Sequence, residues 1–291
     1  MSPVRLIDGG LSTELERLGV DIAGNLWTGH TLLGSPASIE EAHRKYAVAG
    51  AEVVITSSYQ LSRQGFREIG LTDADADAAL TSSIKVARAA VAGTDAKVAA
   101  SVGPFGAVLH DGSEYRGDYS VSQAQLEDFH FERLQVLGAA QPDFLAVETI
   151  PNLVEAKALA NVLAEFEIPR WISFTAGTPT HLWSGESYES AVEAVSGVDH
   201  LLAVGVNCVN PEFVSSLAGI ASRVSGLPAI AYPNRGGTWD SPKGEWIGEK
   251  PSEFSDYLPS WIDSGVQWVG GCCGTHSGDI ASLARALNRA N

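Results

Sequence analysis

Cysteine is scarce in this sequence: 3 residues among 291. An odd count without regular spacing argues against a secreted disulfide framework, and a chain this long can bury a core that needs no cross-links. Basic residues are also few, with 19 Lys and Arg against 35 Asp and Glu and a formal net charge of −16. Nucleic-acid binding needs clustered cations that replace phosphate counterions, so no nucleic-acid partner is expected. The acidic balance suits a cationic small substrate, and it suits plain solubility as well. Long apolar runs are missing: none approaches about 18 residues, and the N-terminal "MSPVRLIDGG" has no apolar signal core. No membrane span or targeting segment is expected, and a cytoplasmic, reducing setting in which free thiols survive is the default. Linkers, composition shifts and low-complexity tracts are absent too, so a single domain over residues 1–291 is expected.

What is present is a repeated alternation. Eight short apolar segments recur: "RLID" (5–8), "EVVITSS" (52–58), "KVAASVG" (97–103), "DFLAVET" (143–149), "RWISFTA" (170–176), "LAVGVNC" (202–208), "AIAYPN" (229–234) and "QWVGGCC" (267–273). Most are continuously apolar, as strands buried on both faces should be. Stretches between them, such as "SIEEAHRKYAVAG" and "LVEAKALANVLAEF", carry apolar residues at helical spacing. The alternation predicts an α/β fold, a single (β/α)8 TIM barrel with its active site at the C-terminal face of the strands. A doubly wound open sheet is the runner-up.

Polar residues gather at the C-terminal strand ends: Asp8-Gly9-Gly10, Thr56 to Tyr59, Glu148-Thr149, Asn207-Cys208, Pro233-Asn234 and Gly271-Cys272-Cys273. In a barrel those ends open on one face. Cys208 ends the sixth strand and Cys272/Cys273 the eighth, so three thiolates can converge. Three protein ligands and one open position describe a catalytic zinc site. Gly270, Gly271 and Gly274 ease the departure from extended geometry that adjacent ligands need. Buried inert thiols, a strained vicinal disulfide, and a closed site completed by His276 are the alternatives. An open site of three cysteines has a natural chemistry, because zinc favours the thiolate form of an entering thiol and makes it nucleophilic near neutral pH.

The phrases "LIDGGLSTELERLG", "ITSSYQ", "SVGPFGAVLHDGSEYRGDY", "VETIPN", "GVNC", "YPN" and "GGCCGT" resemble the zinc-dependent homocysteine S-methyltransferase family. The likeness runs from about residue 5 to about residue 285, and "GVNC … GGCCGT" is its most specific part. "DGSEYRGDY" is similar to the branch that uses S-methylmethionine or S-adenosylmethionine; the betaine branch carries a C-terminal extension not seen here. The resemblance implies methyl transfer to L-homocysteine, giving methionine, with Zn2+ on Cys208, Cys272 and Cys273. It implies that Asp8 and Glu148 hold the homocysteine ammonium; Asn234 is the candidate for the fourth zinc position at rest and for substrate contact. Thr149 stands where betaine-type members carry Tyr.

Gly9, Thr56, Ser58, Tyr59 and Asn207 are further candidate substrate contacts, and Arg116 a candidate for the donor carboxylate. The loop from His110 to Tyr119 reads as a lid or as a plain surface loop. Tyr59, Trp27 and Phe105 are candidates for cation–π contact with a sulfonium, or for core packing. A monomer or weak oligomer is expected. The competing readings are a thiol or metal sensor, which needs no strand-end carboxylates, and a zinc-independent aldolase, which needs a strand-end Lys. Lys97 lies at the wrong end of its strand. "LTDADADAAL" lacks the Gly and Glu of a calcium loop and reads as an acidic helix start.

Overall fold

Segments rich in Val, Ile, Ala and Leu, too short for helices, form parallel strands when both faces are to be buried. The computed structural model describes residues 3–22, 28–236, 238–240, 245–247 and 254–287. All eight segments are strands in it: β1 (Arg5–Leu6), β2 (Val53–Ile55), β3 (Lys97–Val102), β4 (Phe144–Ile150), β5 (Arg170–Phe174), β6 (Leu201–Asn207), β7 (Ala229–Tyr232) and β8 (Val266–Val269). They form one sheet in the order β1-β8-β7-β6-β5-β4-β3-β2, every pair parallel. A parallel bridge between Ile7 and Val53 joins β1 to β2, with the Asp8 N–H donating to the Val53 carbonyl at 3.1 Å. The sheet thus closes into the (β/α)8 barrel rather than the open alternative. An antiparallel hairpin, Thr238–Asp240 with Glu245–Ile247, is inserted between β7 and β8.

The barrel is a packed core. Ile7, Val53, Ala99, Ala146, Trp171, Ala203, Ile230 and Trp268 fill its interior. Alanines on β3, β4 and β6 leave the volume that two indoles need, and the Trp171 and Trp268 rings lie 5.8 Å apart. Outside, helices such as Pro36–Val48, Asp73–Ala90 and Gln123–Ala139 cover the strands. Thr72 caps the second of these in a reciprocal pair with Asp75, so "LTDADADAAL" is the acidic helix start its composition predicts.

All the strands but β4 stop short of their expected ends. β2 ends at Ile55 rather than Ser58, and β8 at Val269 rather than Cys273. The cause is visible in the hydrogen bonds. The Thr56 and Ser58 hydroxyls bond each other at 2.7 Å, and Ser58 Oγ donates to the Ser101 carbonyl at 2.7 Å. Polar side chains there take over from the ladder and turn the chain out onto the C-terminal face.

One buried group ties this fold to pH. His43, on the helix Pro36–Val48, is fully buried and neither ring nitrogen has a hydrogen-bond partner. Burial lowers its pKa from 6.5 to about 4, so below pH 6.5 the unfolded chain takes up a proton that the folded chain refuses. That linkage is worth about 3 kcal/mol, lost progressively as pH falls from 6.5 towards 4. Urea unfolding of wild type and His43→Leu across this range is expected to show the shallower pH slope in the variant. Equal slopes would remove His43 from the acid response.

Candidate active site

Three chain segments bring the sulfurs together. Cys208 directly follows β6 and adopts φ +50°; Cys272 and Cys273 follow β8. The turn after β7 threads between them, with Cys272 N–H donating to the Pro233 carbonyl (2.8 Å), Arg235 N–H to Cys273 (3.0 Å) and Asn234 N–H to Val209 (3.0 Å). All three Sγ atoms lie within 4.8 Å of one another. Cys208 and Cys272 are joined as a disulfide, with Cα atoms 5.6 Å apart, and Cys273 is free. The vicinal pairing is not formed: the Cys272 and Cys273 sulfurs are 4.0 Å apart. Asn234 Oδ1, in the turn between the cysteines, is buried without a hydrogen-bond partner.

The glycines around this loop act mainly by having no side chain. A Cβ on Gly270 would lie 2.5 Å from the Asp8 carbonyl oxygen, and one on Gly10 2.5 Å from that of Cys272. Only Gly274 of the three loop glycines needs a positive φ, +77°. Gly9 packs under Tyr46, leaving 2.9 Å between a Cβ and the ring; its space is taken by protein. Thr275, fully buried, locks the loop by donating to the Cys272 carbonyl at 2.6 Å and accepting from Gly10 N–H at 3.1 Å.

Two carboxylates open on the same region. Asp8 Oδ2 accepts from Ile55 N–H at 2.8 Å. Glu148 accepts from the Ser101 hydroxyl and is hydrogen-bonded to Tyr232. Burial holds the Asp8 carboxyl well above its usual range, with the neighbouring Glu148 charge adding to the effect. Burial pushes Glu148 up to about 7 against its Ser101 and Tyr232 bonds. Among the described residues no Lys or Arg forms an ion pair with either. A buried anionic pair without a cation is costly unless a cationic ligand completes it.

Asn207 is a strut rather than an open contact. Its Oδ1 accepts from Thr149 N–H (2.7 Å) and Ser173 Oγ (2.8 Å), while its Nδ2 donates to Thr149 Oγ1 (2.6 Å). This clamp holds Thr149 at φ +62°, an uncommon conformation for a β-branched residue, beside Glu148. Thr149 is in turn hydrogen-bonded to Tyr59. Thr56 and Ser58 likewise bond protein groups, supporting Ser101 and through it Glu148.

Other candidates lie elsewhere. Arg116 is exposed and pairs with Asp118 at 2.9 Å. Phe105 packs edge-on against Phe129 with centroids 5.1 Å apart, inside a small apolar cluster. His276 caps the last helix, accepting from Gly278 N–H at 3.1 Å, so it does not close the thiol site. Trp27 lies outside the described residues.

The comparisons with known proteins agree with this geometry. A family model described as homocysteine S-methyltransferase matches residues 5–287. The chain belongs to the homocysteine S-methyltransferase family. It is 39% identical to homocysteine S-methyltransferase 1 of Brassica oleracea var. italica, over 98% of this chain and 93% of the relative. It is 36% identical to the selenocysteine methyltransferase of Astragalus bisulcatus, over 97% and 92%. Among solved structures, the metallated form of the homocysteine methyltransferase MmuM from Escherichia coli superposes with a TM-score of 0.87 at 37% identity, covering 98% of this chain and 96% of that one.

In this methyltransferase the loop from His110 to Tyr119 is fixed by three contacts. Gly106 lies so close to the lid backbone that a Cβ would meet Glu114 N at 2.5 Å. Asn152 Nδ2 donates to the Gly117 carbonyl at 3.1 Å, and the Tyr119 hydroxyl donates to buried Glu155. Glu155 also accepts from Phe105 N–H at 2.6 Å and bonds His130 at 2.7 Å. Tyr115 of this loop is hydrogen-bonded to Cys273. Ser101, Tyr232, Thr275, Glu114 and Tyr115 are the site residues that sequence reasoning missed. All five lie inside phrases that carry the family resemblance, "SVGPFGAVLHDGSEYRGDY", "YPN" and "GGCCGT", and that placement was their only signal.

Proposed function

We propose that the chain, as one barrel domain, transfers a methyl group from a sulfonium donor, S-methylmethionine or S-adenosylmethionine, to the sulfur of L-homocysteine. The observation that carries the reading is the pair of buried carboxylates, Asp8 and Glu148, with no Lys or Arg ion-paired to them among the described residues, opening beside three thiols. An amino-acid ammonium completes the pair, and charge-assisted bonds to both fix the substrate's orientation. A thiol or metal sensor has no use for them.

The donor set fits Zn2+: three sulfurs and the unpartnered Asn234 oxygen, presented by elements fixed through backbone hydrogen bonds. Cys208, Cys272 and Cys273 would hold the ion in their reduced form, which requires opening the Cys208–Cys272 disulfide. Bound there, it would lower the pKa of a thiol that reaches it. Asp8 and Glu148 hold the amino acid, Asn207 and Thr149 keep Glu148 in register, and the lid excludes water. A new sulfur–methyl bond forms as the donor's sulfonium–methyl bond breaks, and the donor sulfur keeps the electron pair. Anionic acceptor and cationic donor become two neutral thioethers, a change favoured in a dry site.

The test uses reduced, zinc-supplemented protein with homocysteine and each donor in turn. S-Methylmethionine is expected to give two methionines per turnover, whereas S-adenosylmethionine gives one methionine and one S-adenosylhomocysteine. No methionine from either donor would refute the reading. An acceptor selenol is the second reading, favoured by the likeness to the Astragalus bisulcatus selenocysteine methyltransferase. It predicts faster turnover with a selenol than with homocysteine.

A further inference from the structure

The loop from His110 to Tyr119 brings a third carboxylate to the site that the proposed reaction leaves unassigned. Glu114 sits on the short helix Ser113–Arg116 and is 9% exposed. The backbone N–H groups of Gly112 and of Glu114 itself reach its carboxylate, yet Oε2 is buried with no hydrogen-bond partner. Arg116, on the same helix, pairs with Asp118 and with the Asp111 carbonyl. Glu114 faces the site: after burial, its charge is the largest influence on the Tyr59 hydroxyl, and it also acts on Tyr115 and Cys273. Burial raises the Glu114 pKa, and the nearby Arg116 charge opposes that shift without bonding the free oxygen; a cation reaching Oε2 beside Tyr115 would favour the ionised carboxylate.

Resting on the sulfonium-donor reading above, we infer that Glu114, with Tyr59 and Tyr115, forms the recognition site for the positively charged sulfur of the methyl donor. A sulfonium has no proton to donate, so only charge and aromatic faces distinguish it from a neutral thioether. Asp8 and Glu148, at strand ends, serve the acceptor's ammonium, and Glu114, on the loop after β3, serves the donor. The site also discriminates in time. Once the methyl group has left, the donor's sulfur is neutral and the attraction to Glu114 ends, which favours release of the thioether product.

This charge differs in the ground and transition states. Positive charge drains from the donor sulfur as the methyl moves, so Glu114 stabilises the bound donor more than the transition state. Glu114→Gln is therefore expected to raise the KM for S-methylmethionine by about tenfold or more, the scale of one lost charge-assisted contact. The kcat is expected to stay level or rise, with the KM for homocysteine and the metal content unchanged. Calorimetry supplies a readout independent of turnover. S-Methylmethionine should bind wild type more tightly than Glu114→Gln, while neutral methionine binds both alike. Equal S-methylmethionine affinities, no binding to wild type, or an equal rise in the homocysteine KM would overturn the inference. A binding difference without methyl transfer in either protein would sustain the cation site and refute the proposed reaction instead.

Discussion

Serine at position 273 is expected to strip the protein of bound zinc and of methyl transfer while the barrel stays folded. The Cys273 loop is held by main-chain and threonine contacts, through Arg235 N–H, Thr275 and Gly10, none of which uses the sulfur. The substitution therefore removes a donor and leaves its scaffold. Burial pushes the free Cys273 thiol up to about 11, although its Tyr115 hydrogen bond opposes the shift. At neutral pH it stays protonated unless a cation joins it. Serine is a harder and far weaker ligand for zinc. Losing an outer-shell partner of a metal site costs roughly 10–100-fold, so loss of a direct ligand should lower turnover by more than that. Metal content, methionine formation and the thermal midpoint of reduced wild type, Cys208→Ser, Cys272→Ser and Cys273→Ser make the test. A variant keeping both about one zinc per chain and wild-type turnover would remove the thiols from the mechanism.

Glu148→Gln carries the second large effect. It leaves Asp8 alone against the substrate's ammonium and sets a neutral amide where Ser101 and Tyr232 are arranged for a carboxylate. Truncating one member of a buried charge pair lowers kcat/KM for homocysteine by roughly 10²–10³-fold. Asp8→Asn should cost a similar factor, and the double variant should fall short of the product of the two, because both groups hold one ammonium. The discriminating readout is the pair of KM values. The donor's should stay near wild type while the acceptor's rises, the reverse of the Glu114→Gln pattern. If both KM values rise together, Glu148 supports the site as a whole rather than the ammonium.

The barrel was legible because parallel strands buried on both faces leave continuous apolar runs, and eight of them alternate with helical spacing. The cysteines were legible because three rare residues fell at strand ends that a closed barrel must bring together. Register at those ends was not. Ser58 and Cys273 lie beyond their strands, since hydroxyl bonds and loop glycines replace the ladder where side-chain composition still reads as strand. Ser101 and Tyr232 open two of the phrases that carry the resemblance, yet their roles were hidden because a serine or tyrosine within a strand reads as core filler. Thr149 was named, but its conformation was hidden: a β-branched residue is a poor occupant of the left-handed region, and the Asn207 clamp that holds it comes from another strand. Arg116 misled because a lone loop arginine carries no sign of direction, and its partner Asp118 is two residues away.

The place of β8 between β7 and β1 has a consequence for biosynthesis. Arg5 faces Trp268 across that pairing, so the first strand waits for almost the whole chain before it gains its last neighbour. Asp8 from the beginning of the chain and Cys272 and Cys273 from its end then meet in the same event. A nascent chain still on the ribosome with β8 unsynthesised owns one of the three sulfurs and neither flank of the loop that carries the others. On the zinc reading proposed above, the three-thiol centre exists only once β8 and the loop after it have been made, and a product that stops before them has one thiol of the three.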